Sequence, residues 1–178
     1  MQSFDTPRLH LRPLGEGDEL LYCQMYTDPE LMRYIAAPMT VDAAQRSFGV
    51  ALKQQGGARM IWVIEVRDSG SECGILGVVS KDDAAEVGVI LFAEAQARGF
   101  AAEVIAAIAD ILFQSTAIRR LWTRHAAANG PMSVLMRKLG FEPLTTDDLP
   151  AGELRWQITC ERWHQRCEVA VADAQPSR

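Results

Sequence analysis

Three β-rich runs, separated only by turn sequences, lie in the middle of the chain and restrict its fold more than any other feature. They cover residues 60–66, 73–79 and 86–92. Asp68-Ser69-Gly70 supplies turn residues between the first two runs, and Asp82-Asp83 separates the second from the third. Because such short connections join antiparallel strands, the sequence predicts a three-stranded antiparallel meander.

Patterns on both sides of the meander extend it into a larger sheet. The elements predicted before it are a strand over residues 8–12 and helices over 17–26 and 41–54. The elements predicted after it are a helix at about 101–114, a strand at 120–125, a helix at 132–139 and strand-forming residues over 153–163. The predicted fold class is α/β (α+β), with a mixed, mostly antiparallel central sheet and helices on both faces. Gly88, inside the third run, is typical of a bulge or a close backbone approach.

The length of 178 residues suits one hydrophobic core and leaves little room for two. We expect one domain over residues 1–168 and a frayed tail over 169–178. No apolar stretch reaches the roughly 20 residues that a bilayer requires, and the start of the chain resembles no secretory signal. A cytoplasmic location without a membrane partner is therefore expected. The net charge of −5 argues against a nucleic-acid partner held through its phosphates.

The four cysteines are scattered without a CxxC pair, which indicates reduced thiols. Cys160, His164 and Cys167 form the only cluster with metal-ligand character. A structural zinc ion normally takes four ligands, and the sequence offers no fourth candidate nearby. We therefore expect no metal site.

The segment Gln96-x-x-Gly99-x-Ala101 lies between a predicted buried strand and an alanine-rich helix. Small residues let the backbone approach a ligand closely, and the N-terminus of a helix attracts phosphate. Taken alone, the pattern fits both a phosphate-binding loop and an ordinary helix start that contains a glycine.

In its context this segment resembles the pyrophosphate loop of the GCN5-related N-acetyltransferase (GNAT) superfamily, written Gln/Arg-x-x-Gly-x-Gly/Ala. The resemblance extends to the RimJ/RimL-type branch, which acetylates ribosomal-protein N-termini and other amines, and it covers the chain from Thr6 to about Trp163. The other segments similar to landmarks of that branch are Thr6-Pro7-Arg8-Leu9-x-Leu11-Arg12, residues 28–34, Gly88, Glu103 and residues 129–141.

The resemblance implies a GNAT-like fold and an enzyme that transfers the acetyl group of acetyl-CoA to a primary amine, either a protein N-terminus or a small molecule. Transfer would occur by direct attack in a ternary complex, without a metal, in a monomer or homodimer. Acetyl-CoA would lie in a V-shaped gap between the strand that ends at Phe92 and the strand that carries Trp122. Its pyrophosphate would contact the loop at Gln96, Arg98, Gly99, Phe100 and Ala101.

Acetyl transfer to an amine requires a base for the amine and donors for the tetrahedral oxyanion. Glu86 stands about where several superfamily members place a general base, and His125 on the neighbouring predicted strand is its rival. The resemblance assigns the oxyanion to backbone amides at Leu91, Phe92 and Ala93.

The chain departs from the branch at the thiolate end of the reaction. Related sequences often read Asn-x-x-Ser, with the serine as the acid for the CoA sulfur, but Met132 occupies that position here. Ser133 is one residue along and points about 100° around the helix. Water, the proton of the amine or Ser133 would replace the missing hydroxyl. Asn129 is expected either to contact the pantetheine or to cap the helix.

Two other classes of function compete with the transferase. An acyl-CoA-binding or sensing module with little turnover fits Met132 and the lack of a certain base. A flavin or nicotinamide enzyme would need a full GxGxxG after the first strand of a parallel unit, which is absent. In the transferase reading, Arg33-Tyr34 and the Pro38-Met39 loop line the acceptor pocket, as the first two helices usually do in this superfamily.

Overall fold

A single eight-stranded sheet organises the chain in a computed structural model that describes residues 2–145 and 149–173. The strands are β1 (Phe4–Asp5), β2 (Leu9–Pro13), β3 (Arg59–Val66), β4 (Glu72–Lys81), β5 (Ala84–Leu91), β6 (Arg120–Ala126), β7 (Glu142–Leu144) and β8 (Glu153–Thr159). The helices are α1 (Glu19–Thr27), α2 (Pro29–Met32), α3 (Val41–Gln54), α4 (Phe100–Ser115), α5 (Gly130–Lys138) and α6 (Cys160–Asp173). Short 3-10 turns precede α1 and follow β5.

The strands lie in the order β1-β2-β3-β4-β5-β6-β8-β7. All neighbouring strands pair antiparallel except β5 and β6, which are parallel. The antiparallel meander and the mostly antiparallel mixed sheet are thus confirmed. A parallel pair needs a long crossover, and α4 supplies it between β5 and β6.

Two hydrophobic clusters cover the two faces of the sheet. The first packs α4, the start of α6 and buried side chains of α5 against alternate strand residues such as Val87, Leu121 and Trp156. The second packs α1, α2 and α3 against the intervening residues, including Val63 and Ile90. Since successive strand side chains point to opposite faces, we call these surfaces the α4 face and the α1 face. Helices on both faces are therefore confirmed.

Sequence signals at the helix ends agree with the structure. The Thr40 side chain accepts a hydrogen bond from the Ala43 amide at the start of α3. Pro131 lies in the first turn of α5, and Gly140 follows that helix with φ +82°.

The C-terminal region differs from the prediction. Strand pairing ends at Thr159, and residues 160–173 form α6, so the strand predicted up to Trp163 is wrong beyond Thr159. The helix buries Trp163, whose indole N–H donates to Asp110 in α4 at 2.7 Å. The single domain over 1–168 and the frayed tail stay predictions, and residues 174–178 lie outside the described residues.

Gly88 marks neither a bulge nor a close approach, which corrects the expectation for β5. The register between β4 and β5 is continuous, and a Cβ at Gly88 would meet nothing within 4 Å. The irregularity lies one strand away, where the pairing of β3 with β4 shifts between Ile64 and Glu65. The close approach occurs at Gly74 in β4, where a Cβ would lie 2.3 Å from the carbonyl oxygen of Ile90.

Within residues 2–145 and 149–173, no helix combines the length and the hydrophobicity needed to cross a bilayer. In the same ranges no three or more His, Cys, Asp or Glu side chains converge in a metal-binding group. Cys160 and His164 approach each other at 3.7 Å between Sγ and Nδ1 as neighbours on one turn of α6.

Candidate active site

The centre of the sheet contains a gap between β5 and β6. The two strands are paired only at Ala84 with Arg120, Ala85 with Leu121, and Glu86 with Trp122. Beyond this point β5 pairs only with β4, through Leu91, while β6 pairs only with β8, through Ala126. The strands thus separate toward their carboxyl ends, as the predicted V-shaped gap requires.

Peptide groups of β5 point into this gap. The Phe92 amide donates to the Cys73 carbonyl at 3.0 Å, and the Asp83 carbonyl accepts from Arg119 and Arg120 on the β6 side. Because peptide direction alternates along a strand, Val87, Val89 and Leu91 direct their N–H and C=O groups away from β4 and toward β6. Beyond the last pairing, at Glu86 and Trp122, the gap therefore offers the N–H and C=O of Val89 and the N–H of Leu91 as backbone groups that no strand of the sheet occupies.

This alternation corrects one part of the predicted oxyanion site. The Phe92 amide is already bonded to Cys73, so it does not serve as an oxyanion donor. The Leu91 amide faces the gap, and the amide of Val89, which sequence reasoning missed, faces it too. For Ala93, at the start of a 3-10 turn, the role stays a prediction.

The predicted phosphate loop directly follows this end of β5. The Gln96 side chain donates from Nε2 to the Leu91 carbonyl at 3.0 Å, which ties the loop to the strand. Ala97 and Gly99 both have positive φ, +57° and +80°, and α4 begins immediately afterwards at Phe100. The left-handed turn at Gly99 leads into the first free N–H groups of a 16-residue helix.

The Phe100 ring fixes the loop to the hydrophobic core. It is buried in the cluster on the α4 face, and the guanidinium groups of Arg8 and Arg98 lie 4.8 and 4.5 Å from its centroid. The buried ring is not accessible to a ligand, and a cofactor contact through the Phe100 backbone stays a prediction. Arg98 brings a positive charge to the loop, which suits an anionic ligand.

Three landmark residues that are distant in sequence meet beside the loop. Glu103, in the first turn of α4, accepts hydrogen bonds from the Thr6 hydroxyl at 2.6 Å, the Arg8 amide at 2.9 Å and Arg8 Nε at 2.6 Å. Burial opposes the charged form of Glu103, but these hydrogen bonds and the Arg8 charge outweigh it and hold its pKa below the ordinary value. Glu103 is therefore a carboxylate at neutral pH.

Glu86 lies at the closed end of the gap on the α1 face. Its side chain is 28% exposed, and its Oε1 accepts a hydrogen bond from Arg124 Nε at 3.0 Å. Gly88 is the next residue of β5 on this face, and the space above it is open. An amine approaching from the α1 face thus has room beside a carboxylate.

His125 lies on the opposite face from Glu86 and is 5% exposed. Its Nδ1 donates to the Ala126 carbonyl at 2.8 Å, while its Nε2 accepts from the indole N–H of Trp156 at 2.9 Å. An indole nitrogen only donates, so these two partners fix a neutral imidazole with the proton on Nδ1. The geometry favours a structural histidine over the predicted rival base.

Ser133, one of the predicted proton donors to the CoA thiolate, lies in the first half of α5. Ser133 is buried on the same side of the helix as Met136, whereas Met132 is half-buried. Asn129 caps α5 by accepting from the Met132 amide at 3.1 Å, which is the capping role foreseen for it. The acid role of Ser133 and the pantetheine contact of Asn129 stay predictions.

The segment after α2 reaches the mouth of the gap. The Ala126 amide, on the edge of β6 that faces β5, donates to the Tyr34 carbonyl at 3.1 Å. The Arg33 guanidinium lies 4.9 Å from the Tyr34 ring centroid, and the loop continues as an exposed stretch to Pro38. The placement of Tyr34 fits the predicted acceptor pocket, and the role of Met39 there stays a prediction.

Comparison with known proteins gives the family. The model of an acetyltransferase (GNAT) domain matches residues 8–142. The chain is 28% identical over 148 residues to the uncharacterized N-acetyltransferase p20 of Bacillus licheniformis, covering 80% of this chain and 83% of that one.

Solved structures give the same fold. Spermidine N-acetyltransferase from Vibrio cholerae, solved with CoA and spermine, has a TM-score of 0.76 at 20% identity, covering 88% of this chain and 98% of that one. RimL, a ribosomal alpha-N-protein acetyltransferase solved with coenzyme A, has a TM-score of 0.75 at 15% identity, with coverages of 89% and 98%. The GNAT model matches most of the chain, and the gap and the loop agree with the fold of these proteins. The chain therefore belongs to the GNAT family and is an acetyltransferase.

Proposed function

We propose that this protein transfers the acetyl group of acetyl-CoA to a primary amine of the kind that RimJ/RimL-type enzymes use. The observation that carries the proposal is the opening between β5 and β6 next to the left-handed loop at Gly99. Free peptide groups of β5 suit the amide-rich pantetheine arm, and the amides at the start of α4 suit a pyrophosphate.

The reaction would take place in the gap between β5 and β6. The neutral amine attacks the thioester carbonyl from the α1 face, a C–N bond forms, and the C–S bond then breaks. Glu86 accepts the proton that the amine loses, and the amides of Val89 and Leu91 stabilise the negative charge on the carbonyl oxygen. The thiolate receives a proton from water, from Ser133, or from Glu86 as it passes on the proton of the amine, since Met132 has none to give.

Binding of acetyl-CoA is expected to raise the melting temperature. A ligand that binds only the native state adds about 2.7 kcal/mol to the free energy of unfolding at a concentration of 100 Kd. Differential scanning fluorimetry with acetyl-CoA, CoA, ATP and NADH measures this shift. A shift with ATP or NADH and none with acetyl-CoA would contradict the proposal. Release of CoA thiol with an amine then separates the enzyme from an acyl-CoA sensor, which binds but does not turn over.

We expect the preferred acceptor to be an α-amine rather than a lysine side chain. An α-amino group with a pKa of about 7.7 to 8.0 is on the order of one-tenth neutral at pH 7, whereas a lysine near 10.4 is neutral at roughly one part in a thousand or less. An enzyme with Met132 in place of the usual acid gains most from an acceptor that needs little deprotonation. Competition among an N-terminal peptide, free amino acids, spermidine and an internal-lysine peptide tests this, and preferred acetylation of lysine or spermidine would contradict it.

A further inference from the structure

The phosphate loop is held by a cluster that we call the Arg8 clamp, formed by Thr6, Arg8 and Glu103. Besides its hydrogen bonds to Glu103, Arg8 donates from Nη1 to the carbonyl oxygen of Arg98 at 2.9 Å. Its Nη2 lies 2.6 Å from Glu103 Oε2. One guanidinium thus bridges the first turn of α4 and the loop that precedes it.

The bond to Arg98 fixes the direction of a peptide group in the loop. In a planar trans peptide, the carbonyl of one residue and the N–H of the next point in opposite directions. With the Arg98 carbonyl held toward Arg8, the Gly99 N–H points away from Arg8. The clamp therefore sets which way a loop amide faces, at the residue whose φ of +80° starts the helix.

The hydrogen bond and ion pair from Arg8 to Glu103 offset an electrostatic repulsion between Glu103 and a bound phosphate. A carboxylate in the first turn is favourable for a helix, because it lies near the positive end of the dipole. The same charge repels a phosphate that binds to the amides of that turn. The Glu103 side chain is only 13% exposed, so water screens it poorly, and the paired guanidinium of Arg8 cancels its charge instead.

From these contacts we propose that Arg8 is a positioning residue for the pyrophosphate of acetyl-CoA. This inference rests on the proposed function. Three of the five N–H donors of Arg8 are directed at Glu103 and the Arg98 carbonyl, and it is through these two partners that Arg8 acts on the loop. Its two effects are an oriented loop amide and a neutralised carboxylate.

The test measures the Kd of CoA by isothermal titration calorimetry for the wild-type protein and for Arg8→Met. We expect CoA affinity to fall about tenfold or more, since the variant loses charge-assisted hydrogen bonds and exposes the ligand to an unpaired carboxylate. The double variant Arg8→Met/Glu103→Gln should regain at least about threefold of this loss, because the remaining side chain is neutral. A purely structural role of the clamp predicts no such recovery.

Arg67→Met is the matched control. Arg67 Nη1 donates to the carbonyls of Thr6 and Pro7 at 3.1 and 3.4 Å, so it holds the same segment without touching the loop or Glu103. We expect its Kd for CoA to stay within about twofold of the wild-type value. An equal loss in Arg67→Met would mean that attachment of the segment alone matters, and would overturn the proposal.

Arg8→Lys keeps the test decisive if Arg8→Met does not fold. A lysine retains the positive charge beside Glu103 but cannot reproduce the fork that also holds the Arg98 carbonyl, so CoA affinity should fall by about threefold to tenfold. Unchanged affinity in Arg8→Met and Arg8→Lys, or no recovery in the double variant, overturns the clamp. If the wild-type protein itself binds no CoA, the proposed function fails instead.

Discussion

Gly74→Ala is expected to lower the free energy of unfolding by about 3 kcal/mol, the upper end of the usual cost of overpacking. An added Cβ would lie 2.3 Å from the Ile90 carbonyl oxygen and 2.6 Å from Leu91 Cδ2. The carbonyl belongs to the backbone of β5 and cannot rotate away, so the strand itself must shift. Since this is the end of β5 that lines the gap, CoA affinity should fall together with stability.

Gly77→Ala provides the control for this substitution on the same strand. A Cβ at Gly77 would meet the Gly88 carbonyl at 3.9 Å, which is an ordinary contact. We expect it to change the unfolding free energy by less than about 1 kcal/mol. Thermal and urea unfolding of both variants measure the difference, and equal stabilities would show that β5 accommodates the methyl group at Gly74.

Glu86→Gln is expected to lower kcat/KM by about a hundredfold or more, with little change in the Kd of acetyl-CoA. The amide keeps the shape of the side chain and an oxygen for the hydrogen bond from Arg124, but it cannot accept the proton of the amine. Steady-state kinetics with the acceptor found in the amine screen, together with CoA titration, separate the loss of chemistry from a loss of binding.

His125→Ala is the comparison for the base assignment. Removing the imidazole leaves the buried indole N–H of Trp156 without its acceptor, which costs about 1–3 kcal/mol of stability. Below its melting transition this variant should lose less than about tenfold in kcat/KM. A larger effect at His125 than at Glu86 would move the role to the histidine, and two silent variants would leave proton transfer to water or substrate.

Local patterns predicted most of the sheet, because strand alternation, turn residues and helix caps are properties of neighbouring residues. The meander over residues 60–92 is an example. A short motif predicted the loop at Gly99. The φ of +80° explains why this position of the motif requires glycine.

The features that escaped prediction depend on contacts between distant parts of the chain. Arg8 and Glu103 are 95 positions apart, and no periodicity reports such a pair. Gly74 matters only because the register of β4 against β5 brings a carbonyl over it.

The helix α6 did carry a local signal. Its inward residues Cys160, Trp163 and Cys167 repeat at helical spacing, but the β-formers that precede them hid this pattern. Cys160, His164 and Cys167, which first suggested metal ligands, are separated by four and three residues, the spacing of neighbours along one side of a helix.

The gap between β5 and β6 gives the sheet four edges instead of two. Besides the outer strands β1 and β7, the carboxyl-terminal halves of β5 and β6 each present, in the middle of the sheet, an edge that no neighbouring strand pairs. Exposed edges of this kind invite pairing with extended segments of other chains. A pantetheine arm that fills the gap would complete the sheet as a missing strand does, so the cosubstrate would also protect the enzyme against aggregation.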